Sequence, residues 1–436
     1  MKRTVVIILL LFALCFSACA SGAGGVPDKG TDAPATEAPQ ASESPVPAET
    51  VSPYANTAVF SDDDFDNRFG MGYDNLAETE DAYYFNSFAG YYTYYYDKAS
   101  GERGVLCAKP ECVHDEIAQN ESCSGYTFLT AKSLNIWDGK LHYVGFDKSS
   151  RCNAIFSMDL DGTGKQCDTD LDYGDLIASP QRFDCHRGKL YGWCQNEDIE
   201  AGDPQIRSSV FSIDAATGEA KLIYDRTDPD YCIEFTLYYY GQYVYICVAD
   251  TSAACDGNYI GTTRFDLYRW NIDTEELEAV FTTGADGISG TDIRLWIESE
   301  ARIYIMPGSV PDGCCSTVYL LSSGEFSTAF EFGSCGVSCL LQGGTAACLN
   351  MLDGSAEIRA ADGSIIYQGE WDLDFSLDVK YKKPPYIQSI YGDKDTMFVV
   401  YSLRLLGNSR SACCVMMYDL TDGEPEATLI AYSPWG

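Results

Sequence analysis

The chain is short of positive charge and of histidine. Its 29 Lys and Arg stand against 65 Asp and Glu, a formal net charge of −36 over 436 residues. Phosphate backbones would be repelled, so nucleic acid is excluded as a partner. With three histidines, acid–base chemistry by imidazole is poorly provided for. No Gly-x-Ser-x-Gly elbow, phosphate loop or His-Glu-x-x-His occurs. No apolar run reaches the roughly 20 residues of a membrane-spanning helix, and no amphipathic helical pattern of convincing length is present, which leaves β-structure to build the core. Aromatic residues are abundant: 31 Tyr, 20 Phe and 6 Trp within a 46% hydrophobic composition suffice for a large core and exclude a mostly disordered chain.

The start of the chain reads as an export signal. Lys2 and Arg3 precede an apolar run from Val5 to Phe16, followed by the small residues Ser17 and Ala18 and then Cys19. Phe16-Ser17-Ala18-Cys19 resembles the lipobox of bacterial lipoproteins, which implies cleavage before Cys19, a thioether-linked diacylglycerol on that residue, and an extracytoplasmic protein lipid-anchored to the cell membrane. Ordinary secretion with cleavage near Ala18 or Ala20 is the other reading. Residues 1–18 are thus the expected signal peptide. Residues 19–58, rich in Ala, Pro, Ser, Thr, Glu and Gly, are the expected lipidated cysteine and disordered tether.

From residue 59 a strand, tight turn, strand signature recurs. It appears at Tyr94-Tyr95-Tyr96-Asp97, Phe156-Ser157-Met158-Asp159, Phe211-Ser212-Ile213-Asp214, Tyr268-Arg269-Trp270-Asn271, Tyr319-Leu320-Leu321-Ser322, Ile358-Arg359-Ala360-Ala361 and Met417-Tyr418-Asp419. An earlier hairpin precedes each copy, as in Asp138-Gly139-Lys140-Leu141 and Arg187-Gly188-Lys189-Leu190. Four strands per unit at a mean spacing of about 54 residues predict an all-β, seven-bladed β-propeller of four-stranded antiparallel blades over residues 59–436. A sandwich or β-solenoid is the structural alternative. Ring closure stays open, with Val59-Phe60 a candidate to pair beside the final strand.

The segment from Phe156 to Cys167 resembles the blade hairpin of TolB-type propellers. Leu106-Cys107-Ala108-Lys109-Pro110-Glu111-Cys112-Val113-His114-Asp115 resembles a segment common in uncharacterised propeller lipoproteins of anaerobic Gram-positive bacteria. Together with the lipobox, this likeness runs from the signal to the last blade. It implies an extracytoplasmic propeller and brings no established activity.

Long insertions fall on the face that carries the connections between second and third strands and between blades. Binding groups concentrate on loops held by a rigid scaffold, so a ligand is expected there, at Glu197, Asp198, Asp203, Asp250, Asp256, Tyr259, Arg264, Trp371, Lys380 and Tyr381. Acidic and aromatic groups together suit a sugar, a cationic peptide or a divalent cation. The expected function is a non-enzymatic module that binds an extracellular glycan, peptide or protein. A carboxylate-based glycan hydrolase or lyase, and a structural module of a surface assembly, are the alternatives.

Of 19 cysteines, Cys15 and Cys19 fall in the leader and leave an odd number behind, which forbids complete internal pairing. One group stands apart: Cys107-x4-Cys112-x-His114-x8-Cys123. Three thiols and an imidazole match the Cys3His set of a structural zinc site. A disulfide from Cys107 or Cys112 to Cys123 explains the same residues as a loop staple. No other cofactor is expected. Asp159-x-Asp161-x-Thr163-Gly164 imitates a calcium loop, but it lacks flanking helices and the final Glu, and already has a place as a blade turn.

Overall fold

The computed structural model describes residues 55–69, 75–86, 91–114, 120–127, 131–171, 182–198, 205–228, 233–251, 262–283, 287–309, 315–333, 336–373, 375, 377, 379–406 and 411–434. Seven four-stranded antiparallel blades form a ring: residues 75–105, 131–170, 182–228, 233–282, 291–331, 337–370 and 386–434, numbered here 1 to 7. Among the described residues no helix is long and apolar enough to cross a membrane, and the one helical element is the 3-10 turn Asn67–Phe69.

Local chemistry sets the blade. First and second strands meet through tight turns in which Asp138 and Gly139 have φ of 50° and 69°, and Arg187 and Gly188 have 50° and 72°. These values belong to the two-residue turns whose twist matches paired strands, and glycine meets the second position without strain. Second strands are buried on both faces, so they read as continuous apolar runs: in Tyr243–Asp250 every residue before Asp250 is buried. The fourth strand of blade 2, Gln166–Asp170, faces solvent and is mostly exposed.

The core lies in the gaps between blades. Leu134, Leu141, Tyr143 and Met158 pack on Ala77, Ala82 and Tyr84 between blades 1 and 2, and Val144 and Ile155 pack on Phe183, Leu190 and Phe211 between blades 2 and 3. Alternate residues of one strand thus serve opposite neighbours, as the period-two geometry requires. First strands of neighbouring blades contact one another from blades 1 to 3 and from blades 4 to 7, and the turn Asn67–Phe69 sits between the first strands of blades 7 and 1.

The ring closes without exchange of a strand between its ends among the described residues. The last strand, Glu426–Pro434, stays in blade 7 and packs against the outer half of blade 1. There Tyr94 Oη donates to Ser433 Oγ at 3.2 Å, and Arg103 Nη1 donates to the Leu429 carbonyl at 2.9 Å. The expectation for Val59-Phe60 is corrected here. The Val59 N–H donates to Gln242 Oε1 at 2.7 Å and Phe60 packs edge-on against Tyr240, both in blade 4.

Residues 57–69 instead form a strap across the face that carries the tight turns. Thr57 and Ala58 bond to Glu300 of blade 5, Arg187 of blade 3 pairs with Asp64 at 2.5 Å, and Asn67 exchanges two hydrogen bonds with the Tyr239 main chain of blade 4. Arg68 then joins Glu78 of blade 1 at 2.9 Å to Asp393 of blade 7 at 3.2 Å.

Candidate functional site

The residues expected on the long-loop face divide. Asp203, Asp256, Tyr259 and Cys19 lie outside the described residues, and Glu197 and Asp198 end the strand Lys189–Asp198 with only their main chain described. Asp250 faces Arg264 across a strand pair and has Arg226 at 3.6 Å; Arg264 and Lys380 are exposed. Trp371 is only 5% exposed, packs in the core between blades 6 and 7, and donates from Nε1 to Tyr401 Oη at 2.9 Å. Tyr381 is half-buried against Phe375 and donates to the Leu373 carbonyl at 2.6 Å. Both rings are taken up by packing because their apolar area is worth more buried than displayed.

A cavity of about 890 Å³ opens on the opposite face, between blades 2 and 3 and beneath the strap. The strap contributes Asp62, Asp63, Asp64 and Asp66, blade 1 Glu78, and blade 2 Asp138 and Asp168, against a single lining cation among the described residues, Lys140. Part of that charge is matched: Arg187 pairs with Asp64, and Arg68 with Asp66 and Glu78. Asp62, Asp63, Asp138 and Asp168 keep no Lys or Arg partner among the described residues.

The floor of the cavity is a polar row across blade 2. Asn135, His142, Ser157 and Gln166 are register neighbours on successive strands, so their side chains share one face. Asn135 Oδ1 accepts the Cys185 N–H of blade 3 at 3.0 Å, and Gln166 reaches Asp168 at 2.7 Å. His142 and Ser157 are 7% and 1% exposed and line the cavity; the Ser157 hydroxyl has no hydrogen-bond partner among the described residues, and the His142 ring lies against the Trp137 main chain. The His142 ring stacks on Trp137 at 3.6 Å between centroids, and the Asp168 carboxylate stands 3.8 Å from Nδ1. Burial pushes His142 down to about 4 despite Asp168, so the ring is neutral at physiological pH.

The second cluster is the one read from spacing. The ligand atoms of Cys107, Cys112, His114 and Cys123 all lie within 4.8 Å of one another. Cys123 is buried, Cys107 and Cys112 are half-buried and His114 is exposed. Burial opposes a Cys107 thiolate, but hydrogen bonds from His114, the Lys109 main chain, Ser124 and Cys123 outweigh it and bring the thiol down to about 6. Burial, then the neighbouring Cys107, push Cys123 up to about 12. The calcium-like segment is a blade turn, with Asp161 accepting the Thr163 N–H at 2.8 Å.

The chain matches no protein-family model and no curated protein sequence. Among solved structures it is similar to the acylaminoacyl peptidase of Pyrococcus horikoshii at 12% identity and a TM-score of 0.43, covering 83% of this chain and 53% of that one. The β-propeller domain of the trilobed protease of Pyrococcus furiosus matches at 10% identity and a TM-score of 0.37, over 70% and 94% of the two chains. An α-L-arabinofuranosidase of Fusarium graminearum matches at 10% identity and a TM-score of 0.33, over 68% and 90%. The likeness is one of fold alone. The chain spans about half the length of the Pyrococcus horikoshii peptidase.

The acidic cavity was not anticipated from sequence. Its one local signal is the run Asp62-Asp63-Asp64-Phe65-Asp66 ahead of the first blade. Nothing in that run tells that it folds back over blades 2 and 3.

Proposed function

We propose that this protein is a lipid-anchored, extracytoplasmic propeller that binds a small cationic ligand in the cleft between blades 2 and 3 without turning it over. The signal pattern ending at Cys19 supports the anchor, since two acyl chains hold a protein stably at a membrane where one is marginal. The observation that carries the binding reading is the Ser157 hydroxyl, buried, without a hydrogen-bond partner among the described residues and lining the cavity beside the neutral His142 ring. Such a group costs about 1–3 kcal/mol while unpaired, so a ligand supplying the missing bond recovers that cost.

The chemistry selects the ligand class. Neutral imidazole offers one donor and one acceptor, and the hydroxyl offers both. Asp62, Asp63, Asp138 and Asp168 provide a negative field, and Trp137 a flat apolar surface beside it. An amino sugar, a polyamine or a basic peptide end fits; a carboxylate or phosphate does not. The membrane is the expected partner on one side and a glycan or peptide carrying an amine on the other.

Calorimetric titration of the full chain in detergent with spermidine, a glucosamine oligomer, a lysine dipeptide and a neutral glycan tests this. Saturable binding of a cationic probe is expected, weaker at high salt and reduced about tenfold in Ser157→Ala and Asp168→Asn, the worth of one lost bond. Binding that ignores both substitutions, or none to any cationic probe, overturns the reading. Product release with a bell-shaped pH profile replaces it with the glycan hydrolase or lyase.

A further inference from the structure

We infer that Cys107, Cys112, His114 and Cys123 form a structural zinc site that fastens the connection between blades 1 and 2. This inference is independent of the cleft. A tetrahedral ion with Zn–S near 2.3 Å and Zn–N near 2.1 Å sets its ligand atoms about 3.5–3.8 Å apart. Four ligand atoms already within 4.8 Å of one another need to contract by about an ångström at most.

Convergence of four groups, not proximity of two, separates this reading from a disulfide. A disulfide consumes two sulfurs and leaves the third thiol and the imidazole without a role. Three soft sulfurs and one nitrogen select zinc over calcium or magnesium, which take oxygen ligands. With four protein ligands the site is closed, so its contribution is to holding the loop and not to catalysis.

The surroundings are built for sulfur ligands. Asn120 Nδ2 donates to Cys112 Sγ at 3.3 Å and to the Val113 carbonyl at 3.1 Å. Such donors orient metal ligands and disperse their charge.

The limbs meet because Gly125 lets them. A Cβ there would stand 2.4 Å from the Leu106 carbonyl oxygen, so any other residue would hold Cys123 away from Cys107. The Gly125 carbonyl accepts the Thr93 N–H at 2.8 Å, and Tyr126 bridges to Tyr92, which stitches the second limb to blade 1. From blade 2, Lys165 Nζ donates to the Tyr126 carbonyl. A metal at the four ligands therefore closes a loop that already grips both blades.

Elemental analysis of the full chain, purified in detergent with a reductant and no chelator, tests the site. About one zinc per chain is expected, and cobalt exchanged into the site should give the intense visible bands of a tetrahedral thiolate complex. His114 is exposed, so His114→Ala should fold as the parent does yet surrender zinc to a chelator that the parent withstands. His114→Cys should restore retention, Asn120→Ala should weaken binding about tenfold, and Cys315→Ser should leave stoichiometry unchanged. Absence of zinc after reconstitution with excess ion, iron in its place, or a mapped disulfide between Cys123 and either Cys107 or Cys112 in the reduced preparation overturns the inference.

Discussion

Glu300 accepts the Ala58 N–H at 2.7 Å across 242 residues of sequence. The carboxylate is fully buried in the tight turn of blade 5, where it also takes the Thr57 N–H and a hydrogen bond from the Arg269 guanidinium. Arg269 lies over the Tyr243 ring at 4.3 Å, and Tyr243 Oη meets Thr57 Oγ1 at 2.6 Å. One buried acid thus holds the outer end of the strap, and with it the roof of the acidic cleft.

Replacing Glu300 should release the strap. Glu300→Ala leaves Arg269 with Glu278 alone and removes the acceptor for two main-chain donors, a loss of about 3 kcal/mol for breaking a buried pair. Denaturant unfolding should record it, and hydrogen exchange should show residues 57–69 losing protection before the blades. Protection unchanged in that segment would mean that the strap is held elsewhere.

His186 makes the same strap sensitive to acid. Its Nδ1 accepts the Phe65 N–H at 2.9 Å and its Nε2 faces the Gly241 carbonyl at 2.9 Å, so the ring is neutral with the proton on Nε2. Burial pushes it down to about 4, against the pull of Asp64 and with some help from Arg187. The unfolded chain binds a proton at higher pH than the folded one. The contribution is therefore complete above about 6.5 and is lost as pH falls from there through about 4, up to roughly 3 kcal/mol. Urea midpoints should fall over that range, and His186→Gln should flatten the slope; an equal slope in the variant would assign the acid sensitivity to other groups.

Trp371 should matter for stability and not for ligand binding. Trp371→Phe removes the donor to Tyr401 Oη, which keeps its contact with Tyr418 Oη at 3.0 Å. A cost of about 1–3 kcal/mol is expected from the lost bond and the smaller ring. Affinity for a cationic probe should be unchanged, and a calorimetric change would return this face to the binding question.

Cys19→Ser should abolish incorporation of a clickable palmitate analogue and move the protein from the membrane fraction to the soluble exported fraction. Unaltered membrane retention without label would point to ordinary secretion followed by attachment through a partner.

The blades were legible because their cause is local. Alternating and continuous apolar runs, Gly at tight turns and a recurring hairpin such as Phe156-Ser157-Met158-Asp159 or Phe211-Ser212-Ile213-Asp214 are written within ten residues or so, and a four-stranded unit that cannot bury its own faces must stack on copies of itself. The grouping of Cys107, Cys112, His114 and Cys123 was legible for the same reason, since seventeen residues of one loop leave little room to disperse them.

Only the tertiary structure decided the rest. Trp371 and Tyr381 look like ligand platforms in a loop, yet inter-blade packing consumes them. Val59-Phe60 looks like an edge strand, yet Gln242 and Tyr240 capture it. The cleft needs Asp62 and Asp63 to arrive above His142 and Ser157, residues about 80 to 95 positions away. Local sequence sets the shape of each blade through backbone geometry and burial; which polar groups end up without partners depends on how distant segments cover one another.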